Sequence, residues 1–271
     1  MRWLLTTRRR IVQGLSLFAL TSNFSGTSLG AACVPILHCE ACALTWLGCP
    51  IGIMASSVGF HEIPWLLIGI VVALGALFGR FLCGWVCPTG FVLDLLYKIP
   101  SPKIELPRWT GWIKYAVLLV MGVGVAYWLG RESIFFFCSV CPTAAVECVI
   151  PDLLRYSDVR VTFETGIKLG VLAFTIALAI VNRRSFCKVI CPIGAMVALT
   201  NKFTVFSLRL DSRKCIHCGR CDKECPMDVA VEDCSRSGRK INRAAECVEC
   251  LSCEQACPVD AIGNNSKVLH K

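Results

Sequence analysis

Near the C-terminus two stretches, CIHCGRCDKECPMDVA and CVECLSCEQACPVDAI, both read C-x2-C-x2-C-x3-C-P, starting at Cys215 and Cys247. A [4Fe–4S] cube needs four thiolates arriving from different directions; a tight turn supplies three, and the fourth crosses over from the other run. That rule assigns Cys215, Cys218, Cys221 and Cys257 to one cube, and Cys225, Cys247, Cys250 and Cys253 to the other. Pro226 and Pro258 stop the local chain just after each crossing cysteine. Zinc is the competing occupant of CxxC pairs, but two complete four-cysteine runs favour clusters. His217 reads as a solvated loop side chain within the first run, and Cys234 belongs to neither run.

Shorter cysteine motifs lie upstream. Cys83 with Cys87 in GRFLCGWVCPTG, and Cys187 with Cys191 in RSFCKVICPIGA, are both C-x3-C-P. Together they total the four thiolates that one shared cube requires. A third spacing, Cys39-x2-Cys42-x6-Cys49, returns as Cys138-x2-Cys141-x6-Cys148, each time in a run too apolar for a solvated loop. If these loops bind clusters, Cys39, Cys42 and Cys49 give three ligands to one, and Cys138, Cys141 and Cys148 give three to another. Each set is then completed by Cys33, by a ligand from the opposite repeat or by a non-cysteine group. Disulfides on an oxidising side are the rival reading of these seven thiols.

The elements that must position these thiols follow from composition. With 55% hydrophobic and 17% charged residues and a mean hydropathy of +0.62, the chain is too apolar for an ordinary soluble domain. Four membrane spans are expected, at 11–32, 64–78, 112–129 and 166–181. Arg2, Arg8, Arg9, Arg10, Arg80, Lys98, Lys103, Arg108 and Lys114 mark one side, which the positive-inside rule makes cytoplasmic. Both termini then face the cytoplasm, with a cleaved signal as the alternative for the N-terminus. The +9 net charge is accounted for by this topology and by thiolate clusters, so no nucleic-acid partner is expected. The histidines, at 38, 61, 217 and 270, lie outside the spans, which argues against a transmembrane haem.

Each half of residues 1–204 reads span, CxxC-x6-C, span, CxxxCP. The expected fold is mainly α: a four-span helical membrane domain built as a duplicated helical hairpin. Residues 205–271 follow as a cytoplasmic α+β two-cluster ferredoxin-like domain. The outer cysteine segments are too short or broken for full spans and are expected to be re-entrant, which is tolerated where protein buries the backbone.

On these spans, on CGWVCPTGFVLDL and CKVICPIGA, and on the two ferredoxin runs, the sequence resembles the NapH family of polytopic ferredoxin-type membrane subunits. The resemblance implies a quinol dehydrogenase component passing electrons through iron–sulfur centres, with Cys83, Cys87, Cys187 and Cys191 as paired membrane-face cysteines. It does not extend to the outer loops.

The function expected is electron transfer within the cytoplasmic membrane, among lipid, between the quinone pool and partner redox subunits. Two [4Fe–4S] clusters in the tail, at least one more in the membrane domain and two further ones if the outer loops bind them would carry the electrons. The alternative is a polyferredoxin that assists assembly or maturation of a metalloenzyme. Quinol oxidation needs groups that accept protons, so His61 and Glu62 before the second span and Asp94 after the first C-x3-C-P are the candidate quinone-site residues.

Overall fold

The computed structural model describes residues 2–21, 29–33, 35–37, 39, 47–104, 106–130, 133–150, 163–205, 208–236 and 240–264. Of the candidate ligands, Cys42 lies outside the described residues, and Cys33 and Cys148 are described in backbone alone.

The chain opens with α1 (Arg2–Thr21) and a parallel pair of short strands, β1 (Leu29–Cys33) and β2 (Leu47–Gly48). Then come α2 (Pro50–Gly59), α3 (Trp65–Phe78), α4 (Phe81–Trp85) and α5 (Pro88–Leu96). A long helix, α6 (Trp109–Trp128), is followed by α7 (Pro142–Ala144), which runs on as a π-helical segment over Ala145–Val149. The second half continues with α8 (Phe163–Val181), α9 (Ser185–Val189) and α10 (Pro192–Thr200). In the tail, β3 (Leu208–Leu210) pairs antiparallel with β4 (Ile262–Asn264), enclosing α11 (Arg220–Lys223), α12 (Val231–Arg236) and α13 (Ser252–Ala256).

Among the described helices, α6 and α8 are long and apolar enough to cross a bilayer. The other two expected spans differ. α3 has 14 residues, about 21 Å at 1.5 Å per residue, against a hydrocarbon core of ~30 Å. α1 starts at Arg2 and ends at Thr21, and Leu29–Cys33, within the expected span, is strand. Arg9 and Gln13 explain where that helix lies: both are buried and both donate to the Gly84 carbonyl, at 2.9 and 3.0 Å. These long-range bonds draw the basic turn onto α4.

Four helices begin in the same way. Cys49, Cys87, Cys141 and Cys191 each cap a helix whose first residue is proline, with φ/ψ of −73/126, −62/117, −72/123 and −61/110. Proline at that position loses no hydrogen bond, because a first-turn N–H has no intrahelical partner. Each cysteine carbonyl accepts from the residue four places on: Ile53 at 3.0 Å, Phe91 at 3.3 Å, Ala145 at 3.3 Å and Ala195 at 3.2 Å. Cys-Pro is thus a helix start that holds a thiol at a helix N-terminus. All four cysteines share one apolar core with Ile51, Leu93, Phe137, Phe186 and Ile193. The first turns of α5 and α7 meet head to head, Thr89 Oγ1 lying 3.4 Å from Thr143 Oγ1 and donating to the Leu37 carbonyl at 3.3 Å. The four Cys-Pro breaks are themselves buried, Cys49, Cys87, Cys141 and Cys191 being at most 7% exposed.

The tail packs directly on this domain. Asn201, fully buried, donates to the Ala244 and Cys247 carbonyls at 3.0 Å each. Arg80 donates to the Ala245 carbonyl at 2.8 Å, and the Trp85 indole to the Glu249 carbonyl at 3.1 Å.

Candidate iron–sulfur centres

The tail gathers its eight motif cysteines into the two sets expected from the crossing rule. Cys215, Cys218, Cys221 and Cys257 line one small cavity with Leu210, Val259 and Ile262. Cys225, Cys247, Cys250 and Cys253 line another with Leu208, Met227 and Val248. Among the described residues no three His, Cys, Asp or Glu side chains close around one point as ligands of a single ion. Each set of four cysteines lines a cavity of its own.

The loops are shaped for an anionic group. Left-handed backbone occurs at His217 and Gly219 in one run and at the equivalent Glu249 and Leu251 in the other, and again at Asp228 and Asp260 after each Cys-Pro. Each non-glycine residue there costs on the order of 1 kcal/mol. Alternating right- and left-handed residues turn successive N–H groups inward to form a concave anion nest, a known frame for Fe–S sites. Val229 N–H donates to Cys225 Sγ at 3.4 Å and Ala261 N–H to Cys257 Sγ at 3.2 Å, again at equivalent positions. Burial pushes the thiols of Cys221 and Cys225 up to about 12 and about 11. A buried thiolate therefore needs positive charge beside it, which cluster iron supplies. The residues fit [4Fe–4S] groups.

A further group of four thiols gathers where the helical half of the chain meets the tail. Cys83 and Cys87 lie four apart across α4 and its end, so they face the same side; Cys187 and Cys191 repeat this across α9. The four thiols lie within electrostatic reach of one another. Cys83 and Cys187 also pack against the core around Cys225, Cys250 and Cys253. Two arginines, Arg80 and Arg184, sit at the same offset before the first cysteine of each motif and are buried to 1% and 0% exposure. They cross over. The Arg184 guanidinium lies over Gly90 of the first repeat and that of Arg80 over Gly194 of the second, each 3.1 Å from where a glycine Cβ would stand. Arg80 Nε is buried without a hydrogen-bond partner. The guanidinium pairs with Glu246 at 3.2 Å and lies beside Cys83 and Cys187; its unsatisfied Nε–H is a donor that an anionic cluster would satisfy, so the residues fit a cube here too.

These arginines escaped the sequence reading, which used Arg80 as a topology marker. The signal was present: both repeats spell R-x2-C-x3-C-P-x-G. Arg184 also has φ +55, and Asp94 holds it there with bonds of 2.9 and 3.2 Å.

Asp94 takes part in a charge cluster. It pairs with Arg184, with Arg9 at 2.7 Å and with Arg183 at 3.4 Å. Although burial opposes ionisation, the three guanidinium groups outweigh it and hold the carboxyl below its ordinary value. His61 and Glu62 are exposed at the opposite end of α3, where the His61 ring makes an edge contact with Tyr127 at 4.6 Å. The structure therefore does not bring the three proposed quinone-site residues together. His217 is exposed and bonded to Glu232 at 2.9 Å.

Among the described outer cysteines, neighbours cross between the two repeats. The Cys141 thiol lies within electrostatic reach of Cys49 and Cys39, which belong to the other repeat. The Glu147 carboxylate accepts from the Cys39 N–H, tying that loop to the second repeat.

A helical domain with duplicated C-x3-C-P thiol turns, joined to a two-cluster ferredoxin fold, defines an iron–sulfur electron-transfer protein of ferredoxin type. Known proteins agree. A 4Fe-4S binding domain matches twice, at residues 63–107 and 167–211, and a 4Fe-4S dicluster domain matches 214–262. Escherichia coli YccM, named as an electron transport protein, is 26% identical over 64% of this chain and 48% of its own. The methylamine utilization ferredoxin-type protein MauN of Methylobacillus flagellatus is 28% identical over 83% of this chain and 76% of its own. The ferredoxin-type protein NapH of Escherichia coli is 27% identical over 65% and 63%. The chain belongs among these NapH-like ferredoxin-type proteins. It spans about half to two thirds of the length of most curated relatives it matches. No solved structure matches it.

Proposed function

We propose that this protein passes electrons between the quinone pool and partner redox proteins, through the centre at Cys83, Cys87, Cys187 and Cys191 and then the two tail clusters. The observation that carries this reading is the contact at Gly84, the residue between the first two inner cysteines. A Cβ there would lie 2.2 Å from the carbonyl oxygen of Val248, the residue after Cys247. Backbone meets backbone, so two ligand loops are as close as a chain permits. The order along the path is inner centre, the cluster at Cys225, Cys247, Cys250 and Cys253, then the cluster at Cys215, Cys218, Cys221 and Cys257. Cys218 is exposed, giving the last cluster an edge for a soluble partner.

The quinone contact belongs at a cavity of about 340 Å³ at the foot of α6, lined by Leu106, Pro107, Thr110, Lys188, Asp228 and Glu246. Trp109 and Trp112 beside it are 67% and 74% exposed, the placement of interfacial aromatic residues. Asp228, paired with Lys188, is a carboxylate beside the inner thiol turn. Asp94 is a poor proton acceptor because its three arginine partners favour the ionised form. Reduced quinone analogue added anaerobically to the full protein should reduce its clusters, and an azidoquinone should label residues 106–111 or 227–234. Clusters that stay oxidised refute the quinone link, and labelling confined to 61–62 moves the site to the other end of α3.

A further inference from the structure

The outer cysteines repeat the construction of the inner centre. The inner centre takes from each repeat one thiol on a Cys-Pro helix cap and one a turn earlier. At the other end, Cys49 and Cys141 are the caps, with backbone angles within 1° in φ and 3° in ψ of each other. Cys138 lies on the 3₁₀ turn Phe137–Ser139, three residues before Cys141. It packs against the cluster of Ala55, Ala126 and Phe136, and Ala55 belongs to α2, the helix that Cys49 caps. Cys39 supplies the remaining position: its N–H is bonded to Glu147 of the second repeat, and it shares with Cys49 the electrostatic neighbourhood of Cys141.

We infer that Cys39, Cys49, Cys138 and Cys141 form one iron–sulfur site shared by the two repeats, back to back with the inner centre. This rests on the proposed function and extends its path. The 3.4 Å approach of Thr89 to Thr143, each two residues beyond a capping cysteine, sets the two sites head to head within one core. The half-helices agree with that placement. α2 and α10 have ten and nine residues, about 15 and 14 Å, and extend away from the junction in opposite directions, α2 packing on the far end of α6 and α10 on its foot. Two sites stacked at the junction turn a one-sided iron–sulfur protein into a conductor through the membrane domain. The outer cysteines lie outside the matched 4Fe-4S segments.

The full chain, purified anaerobically, is analysed for iron and acid-labile sulfide beside Cys49→Ser, Cys141→Ser and the double variant. A shared cube predicts that each single variant and the double lose the same amount, about a quarter of the iron for one site among four, while the tail cluster EPR signals persist. Additive losses mean separate sites in each repeat and overturn the sharing. Unchanged iron overturns the site. Alkylation of the unreduced wild-type chain, before and after cluster removal, gives an answer independent of variant folding. Outer thiols that become reactive only on cluster removal support the site, and outer disulfides overturn it. Loss of the tail signals from the wild type would instead count against the proposed function itself.

Discussion

Substituting Gly84 by alanine tests the docking of the tail on the inner centre. The added Cβ would meet the Val248 carbonyl oxygen at 2.2 Å, whereas ordinary contact begins at 3.4 Å, so the seam must open by about 1.2 Å. The obstacle is backbone and cannot swing aside as a side chain could. Opening by that amount also breaks the 3.1 Å bond from the Trp85 indole to the Glu249 carbonyl. Overpacking costs about 1 to 3 kcal/mol and one neutral hydrogen bond about 1 kcal/mol. The docked state should therefore lose about 2 to 4 kcal/mol, raising the undocked population roughly 30- to 700-fold. Hydrogen exchange of the amides at 248–251 reads this directly, with Gly69→Ala as control because nothing lies within 4 Å of a Cβ there. Exchange in Gly84→Ala equal to that in the control would refute the close-contact argument.

Asp94→Asn leaves Arg9 and Arg184, with side chains 7% and 0% exposed, facing an uncharged amide. A broken buried pair costs about 3 to 5 kcal/mol, which a fall in the temperature of cluster loss would register. Because the folded-state pKa of Asp94 is depressed, its stabilisation is complete above the ordinary carboxylate value of 3.8 and is lost as pH falls below it. The wild type should show that acid loss and the asparagine variant should not. Arg80→Gln removes a buried cation beside Cys83 and should lower the reduction potential of the inner centre by on the order of 60 mV, the equivalent of ~1.4 kcal/mol for one electron. An unchanged EPR redox titration would contradict it. Gly75→Ala drives a Cβ to 2.1 Å from Thr200 Oγ1 and should cost about 1 to 3 kcal/mol of helix packing. Thr200→Ala in the same chain should restore part of that in a thermal melt, and no coupling between the two changes would mean the helices do not touch there.

The grouping of the tail cysteines around two cavities was legible because both parts of the pattern are carried by spacing: three cysteines within one tight turn, and a fourth followed by proline in a duplicated run. The thiol turns of the helical half were legible in part. C-x3-C-P states that two thiols share a helix face and that a new helix follows, both local consequences of backbone geometry. What spacing could not decide is which repeat a side chain reaches. Arg80 lies over Gly194 and Arg184 over Gly90, a swap between segments about a hundred residues apart, and Cys141 reaches Cys39 and Cys49 of the other repeat. Such pairings across the repeats, which add to whatever contacts a thiol makes within its own loop, depend on how half-helices pack, and many packings are compatible with one local pattern. The same reason explains α1, whose apolar stretch suggested a span starting at Ile11 while Arg9 and Gln13 were committed to the Gly84 carbonyl. It also explains Asp94, which stood in the sequence as an acid beside a thiol motif and became a proton-poor carboxylate only once three arginines had been folded around it.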